Sequence, residues 1–107
     1  MIANTPEAPY YAVIFSSVKN NDDSGYADMA ERMAELACQQ PGFLGMESAR
    51  NELGITISYW RDLESIKNWK QHAEHRIAQQ LGKEKWYETY KTRICRVERD
   101  YFSSRDQ

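Results

Sequence analysis

Apolar residues recur along the chain with two periods, and these periods predict where strands and helices lie. The run Tyr10–Phe15 is nearly continuous in apolar character, is rich in β-branched and aromatic residues and follows Pro9. This composition predicts a first strand that is buried on both faces. After the polar turn segment 20–25, apolar residues return at steps of three and four, so we expect a first helix from about Tyr26 to Gln39.

A hairpin is predicted next. Pro41 and Gly42 cannot continue the first helix. The segments Phe43–Arg50 and Ile55–Trp60 are typical of two strands, and the polar turn 51–54 joins them.

A second helix and a last strand complete the pattern. Asp62 is suited to cap this helix, because its carboxylate can accept hydrogen bonds from amides of the first turn. We expect the helix to end near Gly82, and its apolar stripe comprises Leu63, Ile66, Trp69, Ala73, Ile77 and Leu81. Residues 83–88 predict a short helical turn, and the alternation over 90–97 predicts a strand that ends near Phe102.

The order β-α-β-β-α-β is that of a ferredoxin-like α+β fold with both helices on one face of the sheet. The 107 residues form one domain, in which we expect 1–9 and 103–107 to be loose. Because the first strand carries large apolar side chains on both faces, the helix-free face should also be buried. A second copy is the simplest cover, so we predict a homodimer packed sheet to sheet.

Composition and charge exclude several classes of function. The 14 Lys and Arg against 16 Asp and Glu leave a net charge of -2, which argues against nucleic acid as a partner. No apolar run is long enough to span a membrane and the start does not resemble a signal peptide, so we expect a cytoplasmic protein. Cys38 and Cys95 have no metal or disulfide spacing and are expected to be small buried residues. No motif for nucleotide binding, serine hydrolysis or zinc proteolysis is present.

Most of the chain resembles the antibiotic biosynthesis monooxygenase family. The resemblance is carried by the string HAEHRIAQQLGKEKWY, which follows a strand that ends in Tyr-Trp and a helix that contains Asn-Trp. The residues that carry it are Tyr59, Trp60, Trp69, His75, Gln79, Gly82, Trp86, Tyr87, Arg93 and Tyr101. It implies a dimeric α+β barrel. Some relatives oxidise polyphenols or quinols with molecular oxygen and no metal or flavin, so the resemblance implies no cofactor, no metal and a small aromatic substrate.

Other relatives degrade haem, and this chain departs from their pattern. That branch has an Asn on the first strand, a Trp in the second helix and an iron-ligating His ten residues after the Trp. Trp69 matches, but Gln79 stands at the histidine position, and the first strand offers Ala12, Val13 and Ile14. Haem degradation is therefore the weaker hypothesis.

Two histidines are the candidates for a catalytic base. An imidazole titrates near neutral pH, which suits removal of a phenol proton. His75 is the first candidate and His72, next to Trp69 on the stripe, is the second. The helical phase of His75 points away from the apolar stripe, so a surface or structural role is the competing interpretation.

The candidates for substrate binding are mainly aromatic. They are Trp60, Trp69 and Trp86, which could stack on a planar ligand, the hydroxyls of Tyr11 and Tyr59, and Arg93. Core packing, cross-strand packing and pairing with a carboxylate are the competing roles. The sequence thus predicts a cofactor-free monooxygenase of a small aromatic molecule, with a dimeric ligand-binding or stress-associated protein as the alternative.

Overall fold

A computed structural model of the chain describes residues 1–22, 24–79 and 86–105, except the side chains of 75–79. Four strands and two helices alternate in the order β1 (Tyr10–Lys19), α1 (Tyr26–Cys38), β2 (Phe43–Arg50), β3 (Gly54–Trp60), α2 (Leu63–Gln79) and β4 (Tyr87–Val97). The strands form one sheet in the order β2-β3-β1-β4, and each neighbouring pair is antiparallel. This confirms the ferredoxin-like α+β fold.

The ends of strands β1 and β4 differ from the sequence prediction. β1 continues to Lys19, because its polar second half pairs with β3 and β4. Tyr87 and Glu88 belong to β4, not to a helical turn, since Tyr87 pairs with Lys19 beyond a bulge in the ladder. β4 ends at Val97, short of Phe102. The remaining residues of the expected helical turn, 83–85, lie outside the described residues.

The two faces of the sheet have different covers. Side chains of Val13 on β1, Ser58 on β3 and Ile94 on β4 share one face, since these residues are aligned in register. Both helices pack over this face. Tyr10 and Ala12 alternate onto the other face and are each only 4% exposed.

The N-terminal segment covers one end of the helix-free face. The amide of Ala3 donates to Glu47 Oε2 over 2.9 Å, and Thr5 Oγ1 donates to the Tyr10 hydroxyl over 2.9 Å. Gly45 of β2 makes the approach of Ala3 feasible, because a Cβ at Gly45 would lie 2.9 Å from the Ala3 Cβ. The chain itself thus shields part of the face for which we predicted a second copy.

Two tyrosine–carboxylate pairs lie under this segment. The Tyr10 hydroxyl donates to Asp100 Oδ2 over 2.5 Å, and the Tyr59 hydroxyl donates to Glu47 Oε1 over 2.5 Å. The bonds from Tyr59 and from the amide of Ala3 hold the pKa of Glu47 below its usual range. Burial, followed by the bond to the carboxylate, raises the pKa of Tyr59.

The start of α2 has the predicted cap. Asp62 Oδ1 accepts hydrogen bonds from the Ser65 amide over 2.8 Å and from Ser65 Oγ over 2.7 Å, and these bonds lower the pKa of Asp62. Gly42 packs directly on Ser65 and has a φ of +85°, where any Cβ would collide with the serine side chain. The turn before β2 and the cap of α2 are therefore built against each other.

Cys38 is exposed, which corrects the prediction that both cysteines are buried. The fully buried position near the end of α1 is Ala37, and the next residue is rotated from it by about 100° around the helix axis. Cys95 is partly buried on the helix-free face. In the described ranges, neither helix is long and apolar enough to cross a membrane.

Candidate active site

A cavity of about 230 Å³ lies between the helix-facing side of the sheet and the two helices. Its walls are mostly apolar and come from every strand and both helices. They comprise Val13, Phe15, Tyr26, Met29, Ala30, Met33, Ala34, Met46, Thr56, Ser58, Ile66, Trp69, Lys70, Ala73, Glu74, Tyr87, Thr92 and Ile94. Ile94 is 52% exposed, which indicates that the cavity opens along β4.

Trp69 forms an aromatic wall of the cavity. Its ring stacks on that of Trp60, with centroids 6.0 Å apart and planes at 24°. Trp60 is fully buried, meets Phe43 edge to face at 5.4 Å and donates from Nε1 to Ser58 Oγ over 2.8 Å. The core thus fixes Trp60, and Trp60 in turn supports the ring that faces the cavity.

His72 stacks on the same tryptophan. The two rings lie 6.0 Å apart with planes at 29°. Nε2 of His72 is buried and has no hydrogen-bond partner among the described residues. The imidazole does not line the cavity, although it stacks on a tryptophan that does.

His75 belongs to α2. Its side chain lies outside the described residues, so its role as a base stays a prediction.

One end of the cavity is formed by two phenols. The hydroxyls of Tyr26 and Tyr87 are 3.4 Å apart, and their rings meet edge to face at 5.6 Å. Phe15 packs on Tyr87 at 5.3 Å. Burial raises the pKa of Tyr87, with a further contribution from the bond to Tyr26, so the phenol stays protonated at neutral pH.

Two cations stand over Tyr26. Lys19 Nζ lies 4.7 Å and Arg50 Cζ lies 5.5 Å from the centre of its ring. Arg50 also donates two hydrogen bonds to Ser17. Its Nη2 donates to the hydroxyl Oγ, and its Nη1 donates to the backbone carbonyl over 3.4 Å. Its side chain passes through the place where a Cβ of Gly54 would stand, so the missing side chain at that position lets Arg50 reach the Tyr26 ring. We call Tyr26, Tyr87, Lys19 and Arg50 the tyrosine end.

The charged residues in the lining are Lys70 and Glu74, one helical turn apart on α2. A carboxylate can accept a proton from a bound ligand, and the serine and threonine hydroxyls of the sheet can donate to one. Within the described ranges, no three His, Cys, Asp or Glu side chains are grouped as a metal site would require.

The family model of antibiotic biosynthesis monooxygenases matches residues 9–81, which span β1 to the end of α2. The chain belongs to this family. It is also 52% identical over 100 residues to the uncharacterized protein YqjZ of Bacillus subtilis, with 92% of this chain and 88% of YqjZ covered.

Solved structures share the fold of this antibiotic biosynthesis monooxygenase domain. SnoaB, a cofactor-independent oxygenase from Streptomyces nogalater, aligns with a TM-score of 0.69 and 14% identity, covering 91% of this chain and all of its own. Protein SO0527 from Shewanella oneidensis aligns with a TM-score of 0.71 and 8% identity, covering 92% of this chain and all of its own. At these identities the likeness shows the fold.

The predicted substrate-binding residues of this monooxygenase-family domain lie in different places. Trp69 lines the cavity, whereas the other five do not. Trp60 is the core support of Trp69, and Tyr59 binds Glu47 on the helix-free face. Tyr11, half-buried, pairs in register with Trp60, and Arg93 is exposed opposite Ile14.

Trp86 has a structural contact of its own. It is 4% exposed, and its Nε1 donates to the Ser24 carbonyl over 2.9 Å. Its own carbonyl accepts from the amide of Asn20 over 2.7 Å. These bonds attach the start of β4 to the loop that leads into α1.

Sequence reasoning missed the tyrosine end and the charged pair of α2. Tyr26 and Tyr87 are 61 residues apart, and each stands at the first position of its element. Lys70 and Glu74 did carry a signal, since they flank Ala73 on the apolar stripe at helical spacing.

Proposed function

We propose that this chain is a cofactor-independent monooxygenase that oxidises a small quinol- or polyphenol-type substrate in the cavity. The observation that carries the proposal is the mostly apolar cavity with Trp69 as its aromatic wall, in a member of this family. The likeness in fold to SnoaB, described as a cofactor-independent oxygenase, supports the same chemistry.

The reaction needs little from the protein. Loss of a phenol proton makes the ring a stronger electron donor towards oxygen, and an apolar cavity keeps water away from the reactive anion. In the simplest case a ring C–H becomes a quinone carbonyl. One oxygen atom then enters the product and the other leaves as water, while the substrate supplies the electrons.

The base is proposed to be a residue of α2. His75 and His72 remain the candidates, and Glu74 joins them because its carboxylate lines the cavity. His72 would need a shift of its ring, since in this structure it stacks on Trp69 and does not line the cavity.

Oxygen uptake tests the proposal. The purified protein, treated with a chelator, is mixed with a panel of quinols and polyphenols, and labelled oxygen in the product is followed by mass spectrometry. We expect turnover without added metal or flavin, and one labelled atom per product. No turnover across the panel, or turnover abolished by the chelator, contradicts the proposal.

Single variants identify the base. His75→Gln, His72→Gln and Glu74→Gln are compared with Glu64→Gln, an exposed carboxylate in the first turn of α2 that does not line the cavity. Loss of the true base should lower turnover by about 10²–10⁴-fold, while the Glu64 variant stays within about twofold of the parent. Three active variants would show that the base lies outside α2.

The second candidate function is a ligand-binding protein without turnover. It is favoured by the absence of an imidazole from the described cavity lining. The same experiment separates the two, since a pure binding protein would bind aromatic ligands but consume no oxygen.

We also propose that the protein is a homodimer. The support is the half-buried apolar surface of Ile14 and Ile57 on the helix-free face, beyond the reach of the contacts at Ala3. Sedimentation velocity at micromolar concentration should give the mass of two chains, and a monomer would contradict it.

A further inference from the structure

The tyrosine end has a hydrogen-bond donor for which the described part of the chain offers no acceptor. The pair of Tyr26 and Tyr87 carries two phenol protons, and the bond between the hydroxyls uses one of them. No further acceptor for the second proton is found among the described residues, and both tyrosines line the cavity. A ligand that enters the cavity therefore meets a donor at this end.

Two positively charged side chains lie next to this donor. Lys19 and Arg50 lie 4.7 Å and 5.5 Å from the ring centre of Tyr26. The charge of Arg50 also reaches Tyr87, where it partly offsets the effect of burial on the pKa. Among the described lining residues the charges of Lys70 and Glu74 balance, so Lys19 and Arg50 add the positive charge beside Tyr26.

A donor flanked by cations selects for anions, because hydrogen bonds to ionised acceptors are stronger than those between neutral groups. We propose that the tyrosine end binds the oxyanion of an aromatic ligand, either a carboxylate or an ionised phenol. This inference deepens the proposed function. It rests on that proposal in one respect, since it identifies the ligand with the substrate, and the substrate is then an acidic aromatic molecule.

The cavity limits the size of this ligand. Its volume of about 230 Å³ is below the roughly 300–1,000 Å³ of sites that hold drug-sized molecules. One or two fused rings with an acidic group fit this description, with the rings beside Trp69 and the oxyanion at Tyr26 and Tyr87.

Calorimetric titration with matched ligand pairs tests the proposal. 2-Naphthoate is compared with neutral 2-naphthamide, and 2,4-dinitrophenol, ionised at neutral pH, with its neutral methyl ether. The protein should bind at least one anion about tenfold or more tightly than its neutral partner, and the pair that shows this identifies the type of oxyanion. Equal affinity within both pairs would overturn the proposal.

Single variants test which residues produce the preference for the anion. Tyr26→Phe should weaken binding of the preferred anion by about 10- to 100-fold and binding of its neutral partner by less than about twofold. Lys19→Gln should act in the same direction. Lys91→Gln is the control, since it removes one exposed positive charge on the helix-free face. An equal loss in the control, or an unchanged preference in both tyrosine-end variants, would contradict the assignment.

Gly54→Ala provides a test that keeps every charge. The new methyl group would occupy the path of the Arg50 side chain and force the guanidinium away from the Tyr26 ring. We expect weaker binding of the anion and unchanged binding of the neutral partner. Loss of both affinities together would argue against a role for the position of Arg50.

The binding assay separates this inference from the proposed function. A protein that prefers the anion but consumes no oxygen refutes the oxygenase and keeps the subsite. A protein that oxidises neutral and anionic aromatics equally well keeps the oxygenase and refutes the subsite.

Discussion

Replacing Trp69 with alanine should weaken the fold much less than the same replacement at Trp60, although both rings belong to one stack. Trp60 is fully buried, touches Phe43 and Trp69, and bonds to Ser58. Trp69 is half-buried, with one side facing a cavity that already lacks protein atoms. Truncation at Trp69 therefore enlarges an existing space, whereas truncation at Trp60 opens a new one.

The magnitudes follow from burial. An aromatic side chain buries about 150–250 Å², so half of that area at about 25 cal/mol per Å² gives roughly 2–3 kcal/mol for Trp69. Trp60→Ala should cost about 4–5 kcal/mol, at the upper end for a core tryptophan, since Ser58 also loses its partner. For a domain of this length, 1 kcal/mol corresponds to roughly 4–5 °C in Tm. The expected decreases are about 10 °C for Trp69→Ala and about 20 °C for Trp60→Ala.

Thermal unfolding followed by far-ultraviolet circular dichroism measures these shifts, with urea titrations as a second measure of the free energy of unfolding. Tyr101→Ala serves as the aromatic control, because Tyr101 is 87% exposed and its loss should cost no more than about 0.5 kcal/mol. A cost at Trp69 equal to that at Trp60, or a Tm unchanged within error, would refute the assignment of Trp69 to a cavity wall.

Two further predictions concern the supports of the fold. Gly25 and Gly42 both have positive φ, at +81° and +85°, but only at Gly42 would a Cβ meet Ser65. Gly25→Ala should cost about 1–2 kcal/mol in the free energy of unfolding, and Gly42→Ala clearly more, so equal costs would contradict the argument from the collision. Glu47 has a pKa below its ordinary value of 4.5, so its carboxylate stabilises the fold above that pH, and this contribution is lost as the pH falls through the folded-state pKa. Glu47→Gln should therefore be less stable than the parent in urea titrations at neutral pH, and the difference should shrink as the pH falls through the folded-state pKa of Glu47. A difference that stays constant into acid would contradict the linkage.

Local patterns predicted most of the fold. The stripe that starts at Tyr26 and the hairpin around residue 52 depend on neighbours in sequence, and the structure has both elements near the predicted bounds. The second half of β1 could not be predicted in this way. Ser16 and Ser17 carry no strand signal, and they are extended because β3 and β4 pair with them on both sides.

The site was less accessible to sequence analysis. Trp69 was identified because it lies on an amphipathic stripe beside the resemblance motif, and it lines the cavity. The tyrosine end depends on the tertiary fold, which brings Tyr26, Arg50 and Tyr87 together from different elements, and on the missing side chain of Gly54. Such a grouping has no local period, so only the three-dimensional arrangement reveals it.

The stack of Trp60 on Trp69 also gives the protein an optical reporter of its own cavity. Excitation passes readily between indoles 6.0 Å apart, so a planar ligand against Trp69 should quench the emission of both rings. Trp86 does not line the cavity and supplies the emission that a ligand affects least. Since the chain has three tryptophans, replacing Trp86 by phenylalanine leaves a protein whose tryptophan fluorescence comes only from Trp60 and Trp69.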